Sequence, residues 1–590
     1  MNTIPERLRK LRSLMKENHI DYYIITSDDY HGSEYTHEYF KSRQYISGFT
    51  GSAGTLLIGI SFAGLWTDGR YFIQAANQLE GSGIELFKTG QPGVPSIENY
   101  LAQAISDGQT LSYDGRTVSY SLGSSIASSL NDKNIRILNQ IDLVDKMWND
   151  RPPFPVSQIW LLTDKQTGMS ISDKLQQLRS SLKHAILISA LDDIAWLYNY
   201  RGNDVLHTPV AMAYTIVDHD SATLYISSDA VSKDIRNTFE KDGITLKPYL
   251  DIYNDVAQNF GSSDSPSLQV DKASVNQALT SLIFHPVFDV NPTLKAKACK
   301  NTVEIANEKS AHLKDGVAFT KTIYKLKQLS RNSEHSSLTE LSVADMILED
   351  RKSQEDFISL SFDSIVAYGE HGAIVHYSPS PETSCHLSDG LLLMDTGAQY
   401  LDGTTDVTRT IALGHISDYE KECYTTVLRG NLNLGAAIFP YGTSGRQLDC
   451  LARIPLWQKG LDYNHGTGHG VGYILNVHEG PNRISKSGSD KPFEPGMITS
   501  NEPGVYIENK FGIRLENLIL CTPDSNHPGF MNFETLTLVP FDRDAIAPEL
   551  MTTTELNILN EYHATVFKCL SPFMNEKERR WLKEATAPIL

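Results

Sequence analysis

Cysteine is missing from the first half of this chain. The 590 residues hold six, Cys299, Cys385, Cys423, Cys450, Cys521 and Cys569, and none forms a Cys-x-x-Cys pair. The irregular spacing argues against a disulfide framework and for reduced thiols in a reducing compartment, each a small buried apolar residue. Long apolar runs are missing as well. No stretch reaches the roughly eighteen apolar residues of a membrane span, and the opening MNTIPERLRKLRSLMKENHI has no apolar core, so neither a signal peptide nor a membrane partner is expected. Positive charge is in deficit. The 52 Lys and Arg stand against 71 Asp and Glu, a net charge of −19, which disfavours nucleic acid or an anionic membrane as partner. No low-complexity tract occurs. What remains, 40% hydrophobic and 21% charged, is the composition of an ordinary globular protein, expected in the cytoplasm.

At about 100–200 residues per domain, the chain holds about three. The first segment opens on a helical face of Leu8, Leu11 and Met15, then a strand from Tyr22 to Thr26. A loop dense in Gly, Tyr and polar residues follows, then GTLLIG and GLWTDGRYFIQAA as strands leading into a helix. Three prolines within Pro152–Pro155 make a stiff linker. Beyond it the pattern repeats: an amphipathic stretch at Lys174–Ser181, a strand at Ala185–Ala190, a Tyr-rich turn in LDDIAWLYNYRGND, and two strands in MAYTIVDHDSATLYIS. A third segment begins near Asn291-Pro292, with one long helical pattern from Lys297 through Leu329, and strands dominate from Phe357. A helix is expected near Tyr419–Ile438 and two more in the tail, at Glu555–Leu570 and Asn575–Ala585. The fold class is therefore multidomain α/β and α+β, with two related α/β units ahead of an α+β segment.

The chemistry concentrates in that last segment. LLLMDTGAQYLDGTTDVTRT carries Asp395 and Asp406 around a turn signal at Asp402-Gly403. Asp-Thr-Gly after apolar residues suggests an aspartic-protease half-site, but no second Asp-Thr-Gly or Asp-Ser-Gly exists to share the proton. If the loop is Ala398–Gly403, Asp395 lies directly opposite Asp406, roughly 5 Å away, and two like charges that close need a cation between them. A two-residue turn at Asp402-Gly403 would offset them by four residues instead. The bland alternative, one Asp capping a turn and the other solvated, stays open on this pair alone. In SNEPGVYIENKFGIRLENLIL a hairpin centred on Asn509 puts Glu502 opposite Glu516, with Pro503 a possible bulge. Between the pairs lies HGTGHGVGYILNVHEGP, three histidines amid glycine. His465 and His469 are four apart, yet the glycines place them on loops or strand ends rather than a helix. Any one of these histidines alone reads as a satisfied core or surface residue. Four carboxylates and one imidazole, without thiolate, suit two divalent first-row ions and metal-assisted hydrolysis.

Asp395, Asp406, His469, Glu502 and Glu516, in that order and context, resemble the metal ligands of the pita-bread metallopeptidases, among them methionine aminopeptidase, prolidase and aminopeptidase P. GAIVHYSP around His376, HGTGHGVG, LNVHEGP and GIRLENL are most similar to the aminopeptidase P (Xaa-Pro aminopeptidase) group. SGFTGSAG and WTDGRYFIQA resemble the first domain of its three-domain, cytosolic type, so the likeness spans nearly the whole chain. It implies creatinase-N-like domains at 1–151 and 156–292, a pita-bread catalytic domain at 293–540 and a helical extension at 541–590. It further implies two Mn²⁺ ions on the five ligands and a bridging hydroxide that attacks the Xaa-Pro carbonyl, with Glu502 shuttling the proton. His478 would steady the tetrahedral intermediate. His376 and His465 match the remaining active-site histidines, and Arg514 the arginine that orients the site. Substrates would be peptides with proline second, and the C-terminal helices would form a homodimer contact. Asp68-Gly69-Arg70-Tyr71 reads equally as part of the cleft or as an ordinary turn. The alternatives are a prolidase restricted to dipeptides, an inert pita-bread binding module, and a creatinase-like metal-free hydrolase; intact ligands weigh against the last two.

Overall fold

Helix formation at the start of the chain follows from local sequence. In Ile4–Glu17, Thr3 and Glu6 form a reciprocal capping box, Pro5 sits in the first turn, and Leu8, Leu11 and Met15 fall on the buried face. The computed structural model describes residues 3–487 and 490–590. It divides into two units, Met1–Leu162 with Met169–Thr293, and Thr163–Gly168 with Leu294–Leu590.

The first unit holds two six-stranded sheets. Strands β1 (Tyr22–Ile25), β2 (Thr55–Gly59), β3 (Ala63–Thr67), β4 (Glu85–Lys88), β5 (Thr110–Tyr113) and β6 (Arg136–Leu138) are ordered β4-β3-β2-β1-β5-β6. Strands β7 (Ala185–Ile188), β8 (Ala213–Val217), β9 (Ala222–Ile226), β10 (Ile244–Lys247), β11 (Leu268–Val270) and β12 (Pro286–Phe288) are ordered β10-β9-β8-β7-β11-β12. In each sheet the first strand pairs antiparallel with the second and parallel with the fifth, so the two sheets repeat one topology. LDDIAWLYNYRGND differs from the turn expected of it. Leu191–Leu197 is a helix that buries Leu191, Ile194, Ala195, Trp196 and Leu197, and no Gly or Pro interrupts it before Gly202.

The second unit opens with a break that the helical periodicity concealed. The long pattern expected from Lys297 begins in the last two residues of helix Pro292–Ala298, breaks, and resumes as Thr302–Arg331, because the Asn301 side chain accepts from the N–H groups of Val303 and Glu304 and caps the second helix. The 30-residue helix packs Val317, Phe319, Ile323 and Leu326 onto Leu392, Met394, Val407 and Ile411. Val566, Leu570, Trp581 and Leu582, from helices Thr553–Leu570 and Glu576–Ala585, join the same core. Strand Gly390–Thr396 lies between Ile365–Tyr368 and Val407–Leu413, antiparallel to both. A six-stranded sheet runs, in spatial order, Ile438–Pro440, Phe530–Thr535, Asn517–Pro523, Ile498–Asn501, Gly468–Gly470 and Glu479–Ile484. Hairpin Gly504–Ile507 and Phe511–Arg514 turns at Asn509, whose φ is +57°.

Two fully buried arginines fix the strand ends that carry the acids. Arg351 pairs with both oxygens of Asp315 at 2.7 and 3.0 Å and donates to the Thr396 hydroxyl and, at 3.3 Å, to the Gly397 carbonyl. Arg409 donates to the carbonyls of Thr408, Glu516, Val539 and Pro540 and to Asn517 Oδ1. At Gly397 the chains approach too closely for a side chain, since a Cβ there would lie 2.1 Å from the Thr405 carbonyl and 2.2 Å from Ser361 Oγ. We expect Gly397→Ala to destabilise this unit by about 1–3 kcal/mol. Differential scanning calorimetry on the full chain reads this, and an unchanged Tm would contradict the close approach.

Candidate metal centre

The register of two antiparallel ladders builds the site. Asp395 pairs with Thr408 and Thr396 with Val407, and Gln399 pairs with Thr404 beyond them. The turn is therefore Leu401-Asp402, which corrects both loops considered from the sequence: neither Ala398–Gly403 nor Asp402-Gly403 is the connection. Asp406 falls opposite Gly397, diagonal to Asp395 rather than across from it. The two-residue displacement preserves the face, because side chains alternate with a period of two. Both acids thus still point to one side. Glu502 and Glu516 occupy positions across from one another, since Asn501 pairs with Asn517 and Gly504 with Arg514. Pro503 interrupts the ladder without shifting its register.

Three sets of potential ligand atoms lie within 4.8 Å of one another, and they share members: Asp395, Asp406 and Glu516; His469, Glu502 and Glu516; Asp406, His469 and His478. His469 Nε2 is 3.4 Å from Asp406 Oδ2 and 3.5 Å from Glu502 Oε1. Its Nδ1 donates to the Gly470 carbonyl at 3.0 Å, which fixes the ring and turns Nε2 toward the acids. Ser500 Oγ receives the His469 N–H at 2.9 Å and donates to Glu502 Oε1 at 3.0 Å. Thr408 Oγ1 donates to Glu516 Oε2 at 2.8 Å.

Electrostatics set the occupant. Burial pushes the Asp395 carboxyl up, Arg514 pulls it down, and Asp406 pushes it up again. Burial likewise pushes Glu502 up to about 7 against the pull of His469 and Arg514. Glu516 rises well above the carboxylate range through burial and the neighbouring Asp406, Glu502 and Asp395 charges. Burial alone would lower His469, but its hydrogen bond to Asp406 and the Glu502 and Asp406 charges carry it to about 9. Asp395 Oδ2 takes the Arg514 Nε–H at 3.1 Å, while the buried Oδ1 has no hydrogen-bond partner among the described residues. A cluster so short of positive charge, with a buried carboxylate oxygen left over, fits divalent cations.

The remaining histidines separate. His478 stands edge-on to His469, ring centroids 4.3 Å apart. His376 is exposed in the turn after Gly369–Ala373, and its charge bears on His465. Both nitrogens of His465 are engaged: Nδ1 contacts the Gly466 carbonyl at 2.7 Å, and Nε2 contacts the Tyr506 hydroxyl at 2.8 Å. Burial, then the Arg514 charge, pushes this ring down to about 3, so it is neutral. Arg514 Nη1 donates to the same Tyr506 hydroxyl at 2.7 Å. Tyr506 was missed in the sequence, although the hairpin register puts it opposite Gly512, on the face of Glu502 and Arg514.

Residues 306–523 match the metallopeptidase family M24, and residues 529–589 the C-terminal region of that family. Residues 7–147 and 150–304 each match a creatinase/prolidase N-terminal domain. The chain is 38% identical over 612 residues to Xaa-Pro aminopeptidase 1 of Dictyostelium discoideum, with 99% of this chain and 97% of that one covered. It belongs to metallopeptidase family M24. A second relative, aminopeptidase P1 of Arabidopsis thaliana, is 38% identical over 642 residues, covering 99% of each chain. The X-prolyl aminopeptidase of Caenorhabditis elegans, described as a cytosolic enzyme with a di-nuclear active site, superposes with a TM-score of 0.94 at 33% identity and full coverage of both chains. No helix among the described residues of this M24 chain is long and apolar enough to cross a membrane.

Because Arg514 is the cationic side chain held against Asp395, Arg514→Gln should weaken divalent-metal binding about 10–100-fold, the usual cost of losing a supporting partner. Titration of the metal-stripped protein measures this, and unaltered affinity would show that Arg514 does not tune the acids.

Proposed function

We propose that this chain is a metallo-aminopeptidase that hydrolyses the N-terminal Xaa-Pro bond of peptides. The observation that carries the reading is that Asp395, Asp406, Glu502, Glu516 and His469 fall into overlapping groups of close ligand atoms, and that the buried Asp395 Oδ1 has no hydrogen-bond partner among the described residues. Full-length similarity to Xaa-Pro aminopeptidases supports the substrate class.

Asp395, Asp406, His469, Glu502 and Glu516 would hold two divalent ions, taken here as Mn²⁺. When bound, such ions supply a water ionised near neutral pH and polarise the scissile carbonyl. Glu502, one oxygen of which is fixed by Ser500, takes up and returns the proton at its carboxylate. His478, beside His469, donates to the oxyanion as charge develops there. His376 and the neutral His465 border the substrate, the latter held by Tyr506, and Arg514 keeps Asp395 oriented. A prolyl nitrogen has no hydrogen to offer and its ring fixes the backbone, so selection rests on shape beside the bond and on the acidic site engaging the free amino terminus. The same reading takes the domains as 1–151, 156–292, 293–540 and 541–590, the assembly as a homodimer and the compartment as cytoplasm.

Release of the first residue from Arg-Pro-Pro by the Mn²⁺-loaded protein is the expected result; turnover confined to Ala-Pro would make it a dipeptidase instead. Asp395→Asn should keep the fold and lower turnover by at least about 100-fold, the scale at which even supporting residues around a metal act. Wild-type rates in that variant would remove Asp395 from the ligand set. Light scattering after size exclusion should give twice the chain mass, and a monomer would end the dimer reading.

A further inference from the structure

The segment that carries His376 is gripped on two sides. On one side it lies against strand Phe511–Arg514. Gly372 and Gly512 touch so closely that a Cβ on Gly512 would sit 1.7 Å from the Gly372 carbonyl oxygen. Arg514 Nη2 donates to the Val375 carbonyl at 3.4 Å. On the other side is Glu340, fully buried at the start of helix Glu340–Lys352. Its Oε1 accepts from the Tyr368 N–H at 2.7 Å and from His371 Nδ1 at 2.9 Å. Its Oε2 accepts from the Tyr377 hydroxyl at 2.8 Å and the Cys385 N–H at 3.1 Å. The His371 and Tyr377 rings also stack, with centroids 4.5 Å apart.

A carboxylate offers about four lone-pair sites, and here all four are filled. Glu340, His371 and Cys385 also come within ligand distance of one another. Yet Cys385 Sγ lies 3.8 Å from the same Nδ1 that Glu340 already holds. The cluster is therefore built as a clamp rather than as a cation site. Its donors stand before His376, at Tyr368 and His371, and directly after it, at Tyr377.

We propose that Glu340 is a positioning residue for His376, fixing the Tyr368–Tyr377 segment so that this imidazole is presented to substrate. The proposal rests on the reading above that His376 borders the substrate. Glu340→Gln replaces an acceptor oxygen by a donor that faces two donors. Tyr377→Phe removes the hydroxyl's contacts with Glu340 and Thr383 but leaves the other three donors to Glu340 and the ring stack in place, which guards against simple misfolding.

A double-mutant cycle with His376→Ala tests it on Xaa-Pro-Pro peptides, alongside amide hydrogen exchange over 369–377. Each substitution should lower kcat/KM about tenfold and speed exchange in that segment, yet change kcat/KM less than about twofold once His376 is already alanine. The same loss in both backgrounds, or unaltered exchange, would overturn the proposal. Wild-type rates in His376→Ala would overturn it together with the role of that histidine. Absence of any Xaa-Pro hydrolysis by the wild type would remove the proposed function instead, and the exchange readout would still decide the clamp.

Discussion

Like-charge repulsion governs this structure. Asp395, Asp406, Glu502 and Glu516 are brought together at the ends of two hairpins, and Arg514 contributes one formal positive charge. Burial makes the imbalance worse, because low-dielectric surroundings strengthen every repulsion. Burial first, and the neighbouring acids after it, push Asp395, Glu502 and Glu516 all above their ordinary carboxylate values. Divalent cations relieve the same repulsion without protons. The fold has therefore assembled a cluster whose natural complement is positive charge.

Such a cluster cannot hold itself in place, so the restraint comes from behind. Arg351 grips Thr396 and Gly397, next to Asp395, and Arg409 grips the carbonyls of Thr408 and Glu516. Lys297 and Lys300 meet Glu479, directly after His478, at 3.2 and 3.3 Å. Glu340 does the same for the segment around His376. Removing one partner of a buried ion pair typically costs about 3–5 kcal/mol, so these groups stabilise one geometry steeply against all others. A charged residue in the core reads as a defect by composition alone, but each of these is ion-paired or hydrogen-bonded and sits one or two steps from a site side chain.

That second layer is what the sequence did not make legible. The clustered acids were readable because hairpin pleat is periodic: Glu502 and Glu516 follow from a turn at Asn509, and an error of two residues at Leu401-Asp402 still left Asp395 and Asp406 on the same face. The duplicated sheet was readable for a similar reason, since each half replays one order of helix and strand. Arg351 and Glu340, at opposite ends of one helix, and Arg409 were not, because their partners lie far from them along the chain and nothing in their spacing records it. Tyr506 falls between these cases, on the correct face by register yet without a charge to attract notice. The helix at Leu191–Leu197 shows the converse limit: tyrosine and aspartate suggested a turn, and apolar spacing decided otherwise.

The histidines show how environment assigns work to identical side chains. His465 and His469 are four residues apart, yet burial and the Arg514 charge drive one down to about 3 while carboxylates hold the other near 9. His465 spends both nitrogens on neutral contacts, so it can shape a pocket without adding charge. His469 spends only Nδ1, and under the proposed function a proton and a divalent ion would compete for the lone pair on Nε2. Metal binding at such a site releases protons, so affinity falls as pH drops. The surrounding carboxylates strengthen both sides of that competition. They favour His469 as a cation in the protein alone and would equally favour a doubly charged ion in place of its Nε2 proton.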